Sequence, residues 1–212
     1  EAGVLEQVDQ RIEAYLEKRF RLPREQLRRV RQSYWRRYGT TLGGLLAEHR
    51  VDADEYLAFI HDVPIETLLK PDPELDRILE GITVAKVLFT NASREHALRV
   101  ARALGIERHF VGVFDIRDMD FIGKPDPRVY IRLLSRLDTA AEECVFIDDS
   151  PRNLRTANDL GMHTVQVGRA PNLGAASLDD ATDTIVGDYA IENITELRAV
   201  MADLGLADMR TR

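Results

Sequence analysis

From residue 85 onward, short apolar runs alternate with amphipathic stretches, and this alternation narrows the fold more than any other feature of the chain. AKVLFTN is one apolar run; Ser93 then suits an N-cap for the helix REHALRVARAL, which Gly105 stops. FVGVFD reads as a second strand, and the loop IRDMDFIGKPD leads into a helix, PRVYIRLLSRL. ECVFIDD is the third strand and PRNLRTANDL its helix, ending at Gly161. HTVQVG is the fourth; a loop of small and acidic residues follows, and YAIENITELRAVMADL supplies a short strand and a closing helix. Continuous apolar strands alternating with helices imply a parallel sheet covered on both faces. The predicted class is α/β with a Rossmann-like parallel sheet.

The first eighty residues follow the helical period alone. Val4, Leu5, Val8, Ile12, Tyr15 and Leu16 recur at that spacing. Pro23 suits a first helical turn, and Leu27, Val30, Tyr34 and Tyr38 make a second stripe. TTLGGLLAEH is a short third helix; DADEYLAFIHD begins with Asp52 three residues before Glu55, a capping-box-like start; PDPELDRILEGI closes the region. The expected division is a helical lobe over residues 1–82 and an α/β core over 83–212.

A net charge of −7 speaks against a nucleic-acid surface. The basic run RRVRQSYWRRY does not reverse this, because Arg29 and Arg36 fall opposite the apolar stripe, as on a solvated helix face. The single cysteine, Cys144, sits in an apolar run and reads as a core strand residue; with no disulfide framework, a reducing, cytoplasmic setting is expected. No apolar run approaches the ~20 residues that span a bilayer. The histidines at 49, 61, 96, 109 and 163 show no metal-ligand pairing and read as surface or helix-end residues.

Open α/β sheets bind ligands outside the carboxyl ends of their strands, so the polar residues there matter most. Thr90 and Asn91 end the first core strand, either as turn chemistry or as a hydroxyl and amides offered to an anion. Lys124 lies in GKPDP, where Gly123 permits close backbone approach and Pro125 stiffens the turn, a sensible way to aim an ammonium. Asp148 and Asp149 follow CVFI side by side, and like charges so close cost free energy unless a cation offsets them. One aspartate would suffice as a cap for the next helix; the second suits Mg²⁺, a hard cation held by one or two carboxylates with water and phosphate. A hydroxyl, a lysine and an acid pair at the carboxyl edge of one sheet together describe a phosphate site.

In the order LFTN, GKPDP, VFIDDSPRN, the chain resembles the later three motifs of the haloacid dehalogenase-like hydrolase superfamily. YWRRYGTTLGGL and LLKPDPELDRIL resemble its pyrimidine 5'-nucleotidase branch, whose members dephosphorylate nucleoside monophosphates. The resemblance implies that Thr90 binds the transferring phosphoryl group, helped by the loop at Asn91, and that Lys124 neutralises the phosphate and the nucleophile. It makes Asp149 the main Mg²⁺ ligand with Asp148 beside it, and the helical lobe a cap over a small phosphorylated substrate. The family's nucleophile is the first aspartate of an Asp-x-Asp motif, which forms an aspartyl-phosphate; the second acts as acid and base. That motif ends a strand ahead of the cap, which here would fall just before Glu1. The chain opens on Glu1 without a methionine, and FDIRDMD comes after Thr90, in the wrong order. The expectation is an N-terminally truncated hydrolase, less stable than its parent and essentially without turnover. Three rivals are a receiver-type phosphoacceptor module, in which the motif order differs and the helical lobe has no place; a dehalogenase, which needs no metal; and a non-catalytic binding protein. The oligomeric state leaves no signal in the sequence.

Overall fold

The computed structural model describes residues 2–168 and 186–206, so most of the loop of small and acidic residues lies outside the described residues. The chain forms two units: one from Glu1–Pro71, Leu88–Glu107 and Gly112–Gly123, the other from Asp72–Val87, Arg108–Val111 and Lys124–Arg212.

In the first unit, α1 (Ala2–Phe20), α2 (Arg24–Tyr38), α3 (Thr41–Glu48) and α4 (Ala53–Ile60) follow the predicted stripes. Local chemistry starts each of the last two. Thr40 accepts from the Gly43 N–H ahead of α3, and Asp52 accepts from the Asp54 and Glu55 N–H groups ahead of α4. Pro23, expected in the first turn of α2, stands one position earlier as its N-cap. Leu16, Leu27, Tyr34, Leu45 and Leu57 turn inward from the four helices and pack as one core with Ile116. Burying each such side chain stabilises the unit by roughly 1.5–3 kcal/mol. Helices α2 and α3 approach closely because Gly44 has no side chain: a methyl there would lie 2.1 Å from Cγ of Tyr34. The outer side of α2 is offset by acids, with Arg24 on Glu17, Arg28 on Glu13, Arg29 on Glu25, Arg31 on Asp9 and Arg37 on Glu48. The one-turn helix α5 (Ile65–Leu68), which has no period to betray it, begins at a fully buried Ile65. Helix α7 (Arg94–Leu104) starts at Ser93 and ends at a left-handed Gly105, φ 77°, as its sequence predicts.

Strands β1 (Lys86–Phe89) and β2 (Phe110–Phe114) form a two-stranded sheet. In the second unit, β3 (Val145–Asp148), β4 (His163–Val167) and β5 (Tyr189–Ile191) form a parallel sheet in the order β3-β4-β5. Register pairs Val145 with His163 and Val165 with Tyr189. Around it lie α6 (Pro73–Gly81), α8 (Pro127–Leu137), α9 (Pro151–Asp159) and α10 (Leu197–Asp203). Asp72 and Asp126 cap α6 and α8, each with proline in the first turn. The class is α/β with parallel strands, of the Rossmann-like type.

The sequence suggested one sheet; among the described residues there are two sheets. No described strand hydrogen-bonds both β1 and β3, so none of them joins the sheets. The apolar residues of β1 are accordingly only half-buried, whereas Thr164 and Val165 at the middle of β4 are fully buried.

Candidate phosphate and metal site

In the second unit, β3 delivers Asp148 and Asp149 at its carboxyl end, and the loop before α8 delivers Lys124. Lys124 Nζ donates to Asp148 Oδ2 at 2.8 Å, with both side chains only 9% exposed. The ammonium also lies 5.2 Å from the ring centre of Phe146, two residues earlier on β3, where the aromatic face favours a cation. The other oxygen of Asp148, Oδ1, accepts from the Ser150 N–H at 2.9 Å and from Asn153 Nδ2 at 3.0 Å. Asn153 is in turn held through its carbonyl, which accepts from the buried Tyr130 hydroxyl at 3.0 Å. The Lys124–Pro125 peptide is cis.

Asp148 thus accepts three hydrogen bonds, and it does not serve as a side-chain cap: the N-cap position of α9 is Ser150, whose side chain makes no capping bond. Asp149 differs. It opens to solvent on one side. Crowding by protein on the other, and then the Asp148 charge, raise its carboxyl above the ordinary aspartate value, against the pull of its own backbone hydrogen bond and of Lys124. An under-neutralised carboxylate beside one with an acceptor site to spare is a donor set that fits Mg²⁺, which takes one or two protein carboxylates and completes its shell with water and phosphate. Among the described residues no group of three or more His, Cys, Asp or Glu side chains is arranged to hold a metal.

The first unit holds Thr90 and Asn91, at the end of β1. The Thr90 N–H donates to the Phe114 carbonyl at 2.9 Å, tying the strand end to β2, while its hydroxyl oxygen accepts from the Ala92 N–H at 3.0 Å. That bond turns the chain toward Ser93 and the start of α7. Asn91 packs against Gly123. The structure therefore joins Lys124 to Asp148 directly and sets Asp149 beside them, and it places Thr90 and Asn91 together on a separate strand end.

Two Asp-x-Asp pairs occur in the chain, and both are occupied structurally. Asp52 caps α4 while Asp54 pairs with Arg117. Asp118 binds Arg94 at 2.9 Å and accepts from the Asp115 N–H, in the loop that carries Asp120.

Sequence reasoning passed over Asn153, Phe146 and Tyr130. Asn153 lies in the SPRN stretch, five residues after Asp148, and its amide was the available signal; Phe146 and Tyr130 read only as core. The histidine expectation also needs correction. His61 ends α4, as a helix-end residue would, but it is buried, stacked on His96 at 4.3 Å between ring centres, with Nδ1 3.0 Å from Ser93 Oγ. Packing of α4 on the start of α7 buries it, which the spacing of single histidines does not reveal. Cys144 sits half-buried one residue ahead of β3.

Comparison with known proteins gives a consistent family. The profile of the haloacid dehalogenase-like hydrolases matches residues 2–161. Phosphate metabolism protein 8 of Saccharomyces cerevisiae is 33% identical over 154 residues, 65% of this chain and 48% of that protein. A phosphorylated carbohydrates phosphatase of Thermotoga maritima is 30% identical over 131 residues, 60% of each chain. The chain thus spans about half to three-fifths of the length of these relatives (48% and 60%). The crystal structure of an L-2-haloacid dehalogenase shares the fold with a TM-score of 0.57 at 18% identity, over 93% of this chain and 94% of that one. With its motif order, its parallel α/β architecture and the profile match in agreement, the chain belongs to the haloacid dehalogenase-like hydrolase family.

Proposed function

We propose that this chain carries the phosphate- and Mg²⁺-binding part of a phosphate monoester hydrolase acting on small phosphorylated substrates, with nucleoside 5'-monophosphates as the substrate class. The observation that carries the proposal is the buried Lys124–Asp148 pair with the under-neutralised Asp149 beside it. In this reading residues 1–82 act as the cap and 83–212 as the α/β core, in a cytoplasmic enzyme. Phosphatases among the relatives support the reaction class. The nucleotide preference rests on YWRRYGTTLGGL and LLKPDPELDRIL alone.

Each residue has a role that follows from its chemistry. The Thr90 hydroxyl, helped by the loop at Asn91, would donate to the transferring phosphoryl oxygens, as a turn leading into a helix start can. Lys124, fixed by Asp148 and by the Phe146 ring, holds a positive charge where the phosphate's negative charge must be neutralised. Asp148, bound by Ser150 and Asn153 as well, orients that lysine. Asp149, with Asp148 beside it, would hold Mg²⁺, which when bound supplies charge neutralisation at the phosphoryl oxygens. The family's attacking aspartate lies in an Asp-x-Asp motif at the end of a strand ahead of the cap, and neither Asp-x-Asp pair of this chain stands at such a place.

A second reading, a phosphate- and Mg²⁺-binding module with no hydrolytic role, is favoured by the structural employment of both Asp-x-Asp pairs. The test is calorimetric titration of the chain with Mg²⁺ and inorganic phosphate, beside phosphate release from nucleoside 5'-monophosphates by a chain extended to include an Asp-x-Asp strand. Binding by the first and turnover by the second support the hydrolase. Binding with no turnover in either chain supports the module, and absence of binding defeats both.

A further inference from the structure

Three residues remote in sequence meet at Gly123. A methyl group placed on Gly123 would come within 2.4 Å of Thr40 Cγ2, 3.2 Å of Asn91 Nδ2 and 3.3 Å of Asn91 Cγ. The first distance is a clash, and the others are tighter than ordinary contact, so the Thr40 methyl and the Asn91 carboxamide both crowd the side of Gly123 where a side chain would stand. Thr40 divides its side chain between two tasks. Its Oγ1 accepts from the Gly43 N–H at 2.9 Å, capping α3, and its Cγ2 faces Gly123. The packing role is not visible in GTTLGG, which reads as a plain helix start.

We propose that Thr40 is a positioning residue for Asn91: its methyl packs against the Gly123 backbone, and that contact sets the orientation of the Asn91 carboxamide. The helical region thereby has a say in the geometry of the strand-end loop. The proposal depends on the phosphate-site reading only in giving Asn91 a part in anion binding; the packing relationship stands apart from it.

Two substitutions separate the two tasks of Thr40. Thr40→Ser keeps the capping oxygen and deletes the methyl; Thr40→Val keeps a methyl and deletes the cap. With the full chain labelled in ¹⁵N, Thr40→Ser is expected to shift the Asn91 side-chain amide resonances with little loss of Tm. Thr40→Val is expected to lower Tm and leave those resonances in place. Gly123→Ala is expected to shift them further and to weaken binding of inorganic phosphate with Mg²⁺ by about tenfold, through misplacement of the loop. The double variant Thr40→Ser/Gly123→Ala makes room for the new methyl and should recover at least half of the shift, a coupling that merely structural damage would not give. If Asn91 stays in place in Thr40→Ser and in Gly123→Ala, or the double variant lies no closer to wild type than Gly123→Ala, the proposal is wrong. Should Gly123→Ala fail to fold, the contrast between Thr40→Ser and Thr40→Val decides alone. Wild-type protein that binds no phosphate while Asn91 behaves as expected overturns the phosphate site and upholds the positioning contact.

Discussion

Lys124 and Asp148 form an ion pair at 2.8 Å in which both partners are almost wholly removed from water. A pair of that kind gains little over apolar residues of the same shape, yet losing one partner strands the other charge in a poorly solvated site. Lys124→Ala should therefore cost about 3–5 kcal/mol of unfolding free energy, as breaking a buried pair does. Urea unfolding measures it. A cost within about 0.5 kcal/mol, as for surface positions, would mean that the pair is solvated in solution.

Asp149 should behave in the opposite sense. It stands against the like charge of Asp148 and its carboxyl is disfavoured by crowding. Asp149→Asn is expected to leave stability unchanged or slightly raised while abolishing Mg²⁺ binding by calorimetry. Asp148→Asn removes the charge that holds Lys124 and should lower the urea midpoint. Equal effects of both on stability would contradict the division of labour between the two carboxylates.

Acid should weaken the first unit through its histidines. Burial, and then the neighbouring His96, lower His61 from 6.5 to about 3, and burial and Arg99 lower His96. An unfolded histidine takes up its proton near 6.5, whereas His61 in the folded chain resists down to about 3, so the unfolded state binds more protons across that window. Stability is full above 6.5 and falls as pH drops toward about 3, by ~1.4 kcal/mol per unit where the His61 difference is complete. Urea midpoints at stepped pH should trace this slope, and His61→Gln should flatten it. An unchanged slope in that variant would assign the acid sensitivity elsewhere.

Asp115 and Arg117 make a contrast within one network. Asp115, 3% exposed at its side chain, accepts from the Arg94, Arg117 and Asp118 N–H groups and from the Arg117 guanidinium. Arg117 also reaches Asp54 and Glu95, whose side chains are 67% and 70% exposed. Asp115→Ala leaves several part-buried donors unpaired and should cost about 3 kcal/mol. Asp54→Ala removes one solvated partner and should change stability by no more than about 1 kcal/mol. Thermal melting of the two variants side by side checks the ranking.

The parts of this structure that were legible in the sequence are those set by neighbours along the chain. Ser93, Asp52 and Gly105 act within one helical turn, so their residue types announce their positions. Lys124 and Asp148 lie 24 residues apart, but the strand-end rule draws both to the same kind of place, and the observed bond follows. The stacking of His61 on His96, the hold of Asn153 on Asp148 and the crowding at Gly123 depend on packing between elements, and no periodicity encodes them. The division of the described strands into two sheets was equally hidden, because an apolar run predicts a strand and leaves its neighbours unspecified.

That division also sets where water enters first. Strand β4 is hydrogen-bonded to β3 on one side and β5 on the other, and its middle residues are fully buried. Among the described strands, β1 pairs with β2 alone and β3 with β4 alone. Amide protons along β4 are therefore expected to exchange with solvent last, through the largest openings, while half of those on β1 and β3 point away from any ladder and exchange early. A single strand is thus the expected slow-exchange core of that sheet, and its register pairs Gln166 with Asp148, the first of the acid pair.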